Sequence, residues 1–257
     1  MIQAVLGLFL GWSDLLGCAQ AQVDDETVAS AEEVTVSAEH GHGTASTHKA
    51  EIDLAGPIEL NPSGGKEIGW AYEAYLSPEQ EGGEEEETPE IIPDVFKSTA
   101  SSVDREERPS IGHGTLSFTK DLSTAYVHIA IENVNPEEIN MFHIHCGLPA
   151  QLGPILVDFG LMGDPTLYFD DGILSMEILN EDLEAVIDHG EGIVGLRTAG
   201  CPIESSTPLD RVRTIAGMQQ FAEAGELYFN VHTVGQTYFG EMRGQLHRAE
   251  MPTTIQQ

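Results

Sequence analysis

The stretch Phe142-His143-Ile144-His145-Cys146-Gly147 decides the fold, and Tyr228-Phe229-Asn230-Val231-His232-Thr233 is its counterpart near the C-terminus. Both alternate β-branched or aromatic residues with polar ones, which is the pattern of a strand. Successive strand side chains point to opposite faces. His143 and His145 therefore share one face, and Phe142, Ile144 and Cys146 take the other. In the second stretch Asn230 and His232 share a face, opposite Phe229, Val231 and Thr233. If the two strands are neighbours in register, three imidazoles converge. Side chains at i and i+2 reach one ion, and neutral imidazole suits copper and zinc. The competing reading is a polar seam, with these histidines hydrogen-bonded to Asn230 or to backbone carbonyls.

More strands flank this pair. Residues 68–76 place Trp70, Tyr72 and Ala74 on one face. Residues 114–119 and 125–132 form a hairpin about the turn 120–124. In its second arm His128 shares a face with Tyr126 and Ala130, opposite Val127, Ile129 and Ile131, so His128 is expected at the surface. Residues 155–159 and 240–246 are further strands. In the last of these, Glu241 and Arg243 point the same way and are expected to pair. A helix is expected over 180–187, with Asn180 as its N-cap and Glu181, Asp182 and Glu184 on the positive end of its dipole. A second, over 212–223, ends before Gly225. The sum is an all-β chain, antiparallel, with one or two short helices in loops.

Residues 77–110 interrupt this pattern. They hold 11 acidic and 3 basic residues, with Pro78, Pro89, Pro93 and Pro109. A run of like charges repels itself, so a solvated loop is expected. The spacing of an EF-hand is absent.

Over the whole chain 43 acidic residues stand against 11 basic ones, a formal charge of -32. Nucleic acids and anionic membranes are recognised by basic surfaces, so neither is an expected partner by charge. Contact with a membrane is expected only through a signal segment or a lipid anchor.

The N-terminal 21 residues fit a signal peptide. Residues 2–16 are mostly apolar and too short for a comfortable membrane span. Leu15-Leu16-Gly17-Cys18 resembles a lipobox, which makes Cys18 a candidate for lipidation. Asp14 interrupts the end of the apolar run, and no basic residue precedes it. Cleavage after Ala19 or Ala21 is the alternative and releases the protein. Residues 22–50 have a tether's composition, too polar to offset the entropy of ordering. His40, His42 and His48 lie inside it. Residues 51–69 read as a lead-in strand and turn, 70–248 as the folded domain and 249–257 as a tail. With Cys18 set aside, Cys146 and Cys201 remain as a pair. In an oxidising compartment they are expected to form a disulfide across about 55 residues, which the chain-entropy model values at roughly 4 kcal/mol.

Over residues 70–248 the chain resembles the CHRD domain family. Three segments carry the likeness: His143-Ile144-His145-Cys146-Gly147 with Gly153-Pro154-Ile155, Gly225-Glu226-Leu227-Tyr228-Phe229-Asn230-Val231-His232-Thr233, and Gly240-Glu241-Met242-Arg243-Gly244-Gln245-Leu246. Tyr72-Glu73-Ala74-Tyr75-Leu76-Ser77 is similar to the family's opening strand. The acidic stretch 79–107 replaces a loop that is usually short. The resemblance implies an antiparallel Greek-key sandwich or barrel, similar in outline to immunoglobulin-like or Cu/Zn superoxide dismutase folds. It marks Gly147, Asn230, Glu241 and Arg243 as structural motif residues and implies no reaction.

The function expected from sequence is an exported or surface-anchored, non-catalytic module that binds a protein or glycan. The alternative is a copper- or zinc-binding protein using His143, His145 and His232. The chain has no G-x-S-x-G, H-E-x-x-H or P-loop motif to name an enzyme class.

Overall fold

A computed structural model describes residues 63–169, 171–190, 198–203 and 210–250. The proposed signal segment with Cys18, the tether with His40, His42 and His48, and residues 51–62 lie outside the described residues, as do 251–257.

Nine strands occur among the described residues: β1 (Ile68–Leu76), β2 (Ile111–Thr119), β3 (Ala125–Glu132), β4 (Ile139–Cys146), β5 (Ile155–Asp158), β6 (Ile173–Ile178), β7 (Leu227–Thr233), β8 (Met242–Gln245) and β9 (His247–Arg248). They form two antiparallel sheets, ordered β6-β3-β2-β1-β9 and β5-β4-β7-β8. The chain runs β1 to β3 as a meander in the first sheet. It crosses to the second for the β4–β5 hairpin and returns for β6. The all-β expectation holds, in the form of a sandwich. The sheets approach at one edge, where Ser77 bridges to Arg243.

The alternation seen in sequence sorts side chains between the layers. Tyr72, Ala74 and Leu76 of β1, Leu116 and Phe118 of β2, and Val127, Ile129 and Ile131 of β3 fill the core from one side. Phe142, Ile144, Phe229 and Val231 fill it from the other. Phe142 lies at the centre, stacked on Phe159 at 4.6 Å and edge-on to Phe169 at 5.6 Å. Burial of such a ring contributes about 1.5–3 kcal/mol. His128 is exposed, with Nδ1 2.6 Å from the Ser175 hydroxyl.

Three helices are described: α1 (Pro165–Tyr168), α2 (Asn180–His189) and α3 (Ile215–Glu223). The sequence reading located α2 and α3 and the first residue of α2, but misassigned the N-cap of α2 and the start of α3. Leu179, not Asn180, is the N-cap of α2, and its N–H donates to Asp182 Oδ2 at 2.7 Å. Asn180 Oδ1 instead accepts from Ile215 N at 2.8 Å, tying α2 to α3. Helix α3 begins three residues late, because the Thr214 hydroxyl caps it by accepting from Gly217 N. None of the helices among the described residues is long and apolar enough to cross a membrane.

The acidic stretch departs from expectation. It is not an extended solvated loop but a series of four 3-10 turns, at Pro78–Gln80, Glu85–Glu87, Asp94–Phe96 and Arg105–Glu107. Two of its acids, Glu81 and Glu85, are buried. The physical reason is a set of backbone N–H groups that need acceptors. Glu85 receives hydrogen bonds from Tyr238 N, Phe239 N and the Ser98 hydroxyl. In return, Thr99 N and Ala100 N donate to Val234 O. The stretch thereby clasps the connection between β7 and β8.

Candidate metal centre

The outer face of the four-stranded sheet is polar yet buried. Its central row crosses all four strands in register: Asp158 on β5, His143 on β4, Asn230 on β7 and Arg243 on β8. His145 faces Tyr228 one pair further along, and His232 faces Met141 on the other side. The connections 147–154 and 234–241 lie over this face. Together they leave His143, His145 and His232 only 3%, 8% and 4% exposed.

The β4–β7 pairing brings the three predicted histidines together. One ligand nitrogen from each lies within 4.8 Å of the others. The remaining nitrogen of each ring is held by an acceptor. His145 Nδ1 lies 2.9 Å from Gly153 O, and His232 Nδ1 lies 3.0 Å from Thr237 O. His143 Nε2 lies 3.4 Å from Asp158 Oδ1. A carbonyl or carboxylate oxygen can only accept, so each of these nitrogens carries the ring proton. In the neutral rings the lone pairs then sit on His143 Nδ1, His145 Nε2 and His232 Nε2. All three atoms are buried and have no hydrogen-bond partner.

Buried polar atoms in native proteins are nearly always satisfied, so three converging orphans need a cause. The polar-seam reading is met in part, since His145 and His232 bond to backbone carbonyls as it expected, but it leaves the second nitrogen of each ring without a partner. Asn230, the other partner it named, turns its amide Nδ2 to Phe239 O at 3.0 Å. A cation is the natural complement of three inward lone pairs. Outer acceptors on the far ring nitrogens are the usual support of metal-ligating histidines.

Electrostatics keep the lone pairs available. Burial is the main cause that lowers His145 to about 3. His232 is pushed well below its ordinary value, again mainly by burial. Burial on its own would raise Asp158. Hydrogen bonds from His143 and from the Gly160 N–H outweigh it and hold the carboxyl below its ordinary value.

The motif residues serve as scaffolding around this centre. Arg243 does not pair with Glu241, as the sequence reading expected. Strand β8 starts only at Met242, and the neighbouring carbonyls capture the guanidinium. Nη1 donates to Gln151 O at 2.7 Å, and Nη2 donates to Leu148 O at 2.8 Å and Gln245 Oε1 at 3.0 Å. Its plane lies 3.4 Å from the Tyr228 ring centroid. Tyr228 also stacks on His145, with ring centroids 5.0 Å apart. Glu241 contributes a carbonyl, which accepts from Arg108 Nη1 at 2.8 Å. Gly147 N donates to Glu226 O at 2.8 Å. Gly153 is obligatory, because a Cβ there would fall 1.4 Å from Cys146 O. The expected Cys146–Cys201 disulfide is present, with the Cα atoms 5.9 Å apart.

Sequence reading missed Glu81. Both its carboxylate oxygens are buried without a hydrogen-bond partner, as is Asn230 Oδ1 beside it. The two side chains close on Gly240, where a Cβ would lie 2.2 Å from Asn230 Oδ1 and 2.8 Å from Glu81 Oε1. Burial raises the carboxyl well above its ordinary value, although Arg243 and Arg108 oppose the shift. The stability that its proton contributes is complete below pH 4.5 and is lost as the pH rises through the raised folded-state value. Glu81→Gln is therefore expected to stabilise the protein at pH 7.5, by about 1–3 kcal/mol, with the gain vanishing below pH 4.5. Urea unfolding of both proteins at pH 7.5 and 4.0 checks this, and equal shifts at the two pH values would refute it.

Comparison with known proteins adds one match. The family model described as the CHRD domain matches residues 96–246. Nothing among the curated proteins matches the chain, and no solved structure does. Strand β1 precedes the matched range but pairs along its length with β2, so the sandwich is larger than the match. The matched range covers the histidine strands, both covering connections and Arg243, and the chain belongs to the CHRD domain family.

Proposed function

We propose that this chain is an exported, non-catalytic CHRD module built around a metal site, with His143, His145 and His232 binding one copper or zinc ion. The observation that carries the reading is the convergence of His143, His145 and His232, with one ring nitrogen of each within 4.8 Å of the others and one nitrogen of each ring buried without a partner. Their outer nitrogens are already fixed by Gly153, Thr237 and Asp158, so the ligands are preorganised. Export is supported by the apolar N-terminal segment and by the disulfide, which persists in oxidising compartments. Lipidation at Cys18 anchors the module to the envelope in this reading, with residues 22–50 as the tether and 70–248 as the domain. A protein or glycan at the cell surface is its partner.

Metal that binds only the folded state stabilises it by mass action. At free metal one hundred times Kd the gain is about 2.7 kcal/mol. For a domain of this size that is roughly 5–10 °C in Tm. Calorimetry with Cu(II), Zn(II) and reduced copper is expected to show this rise for at least one metal. His143→Ala, His145→Ala and His232→Ala are each expected to abolish it. No shift with any metal, or a shift that the three variants keep, removes the metal reading.

A further inference from the structure

We infer that the three-histidine centre is a monovalent-copper site, taking Cu(I) in preference to Zn(II) and Cu(II). This rests on the metal reading above and adds the identity and charge of the ion.

Two arguments converge on it. The donor set is three imidazoles and nothing else: among the described residues no further His, Cys, Asp or Glu joins the cluster. Zinc sites in proteins are almost always completed to four ligands, by a further side chain or by water. Here all three donor nitrogens are buried, and the enclosure favours a low coordination number. Tyr228 stacks against His145, and the acceptors Gly153 and Thr237 sit in the two covering connections. Cu(I), which carries half the charge of Zn(II), is content with two or three nitrogen ligands.

Charge gives the second argument. The cost of removing an ion from water grows with the square of its charge, so a divalent ion costs about four times as much as a monovalent one. All three ligands are neutral rings, which cancel none of it. The Asp158 carboxylate lies 3.4 Å from the far nitrogen of His143. It balances one positive charge. On the opposite flank the Arg243 guanidinium lies against Tyr228, 3.4 Å from the ring centroid, and penalises a second.

The test uses the full chain with Cys18→Ser, which removes a competing thiol. Cu(I) is supplied under ascorbate, which leaves the Cys146–Cys201 disulfide intact, and is titrated against bicinchoninate. Zn(II) is titrated against a chromogenic chelator at the same pH. A protein with His143, His145 and His232 all changed to Ala is the blank. The expected result is one Cu(I) per chain above the blank, bound at least 100-fold more tightly than Zn(II). X-ray absorption is expected to show three-coordinate nitrogen ligation. Asp158→Asn retains the ligands and is expected to weaken Cu(I) binding about 10- to 100-fold while leaving the fold intact. Zn(II) binding as tight as Cu(I), or an Asp158→Asn variant with unchanged Cu(I) affinity, overturns the monovalent assignment and leaves the metal site standing. If neither metal exceeds the blank, the site itself is refuted.

Discussion

Arg243→Ala is expected to lower the unfolding free energy by about 3–5 kcal/mol, the range for breaking a buried, hydrogen-bonded charge cluster. Arg243 is 1% exposed and is the largest fully buried side chain of the described residues. Its three donors hold the 147–154 connection and Gln245, and its plane supports Tyr228. Truncation leaves Leu148 O and Gln151 O without these donors. It also frees the loop that carries Gly153, so His145 loses its fixed orientation. Arg243→Lys is expected to recover only part of the loss, because an ammonium cannot span two carbonyls and stack on a ring. Denaturant melts of the three proteins decide the matter. A cost below about 1 kcal/mol for Arg243→Ala would show that the loop is held by other contacts.

Removing the disulfide is expected to cost nearly as much. The bond spans 55 residues, for which the chain-entropy model gives roughly 4 kcal/mol. The paired variant Cys146→Ala with Cys201→Ala is the appropriate comparison, since a single change leaves an unpaired buried thiol. Both cysteines lie in the core beside Pro154, whose carbonyl accepts from Cys146 N at 3.0 Å. The double variant is therefore expected to retain its β-sheet circular dichroism at 20 °C and to unfold at lower denaturant. An unchanged midpoint would mean that the oxidised bond adds nothing to the native packing.

The legible part of the sequence was the part governed by local period. Alternation put His143 and His145 on one face and Cys146 on the other, and it did the same for Asn230 and His232. Whether the two strands met was not legible. They are separated by about 80 residues, and their register passes an irregularity between Ile139 and Met141. Composition misled where several acids stand together. In Glu84-Glu85-Glu86-Glu87 the 3-10 turn sends Glu85 inward to Tyr238 N and Phe239 N, and no charge count separates it from exposed Glu86. Strand β6 also went unread, because Ile173–Ile178 gains its identity only by pairing with β3. The pairing of Glu241 with Arg243 failed for a related reason, since alternation says where side chains point but not which carbonyls await them.

The acceptors behind the three histidines come from three different places. Gly153 belongs to the connection after β4, Thr237 to the connection after β7, and Asp158 to an edge strand. The histidines themselves stand on the two central strands of the sheet. The three rings and the groups that orient them are thus encoded in separate segments of chain. Loops accept substitution and changes of length far more readily than central strands. A lineage can therefore retune ring basicity and solvent access by exchanging loops, while the histidine lattice stays fixed. The acidic insert, clasped onto one of those connections, is a place where such divergence can accumulate without rewriting the sheet.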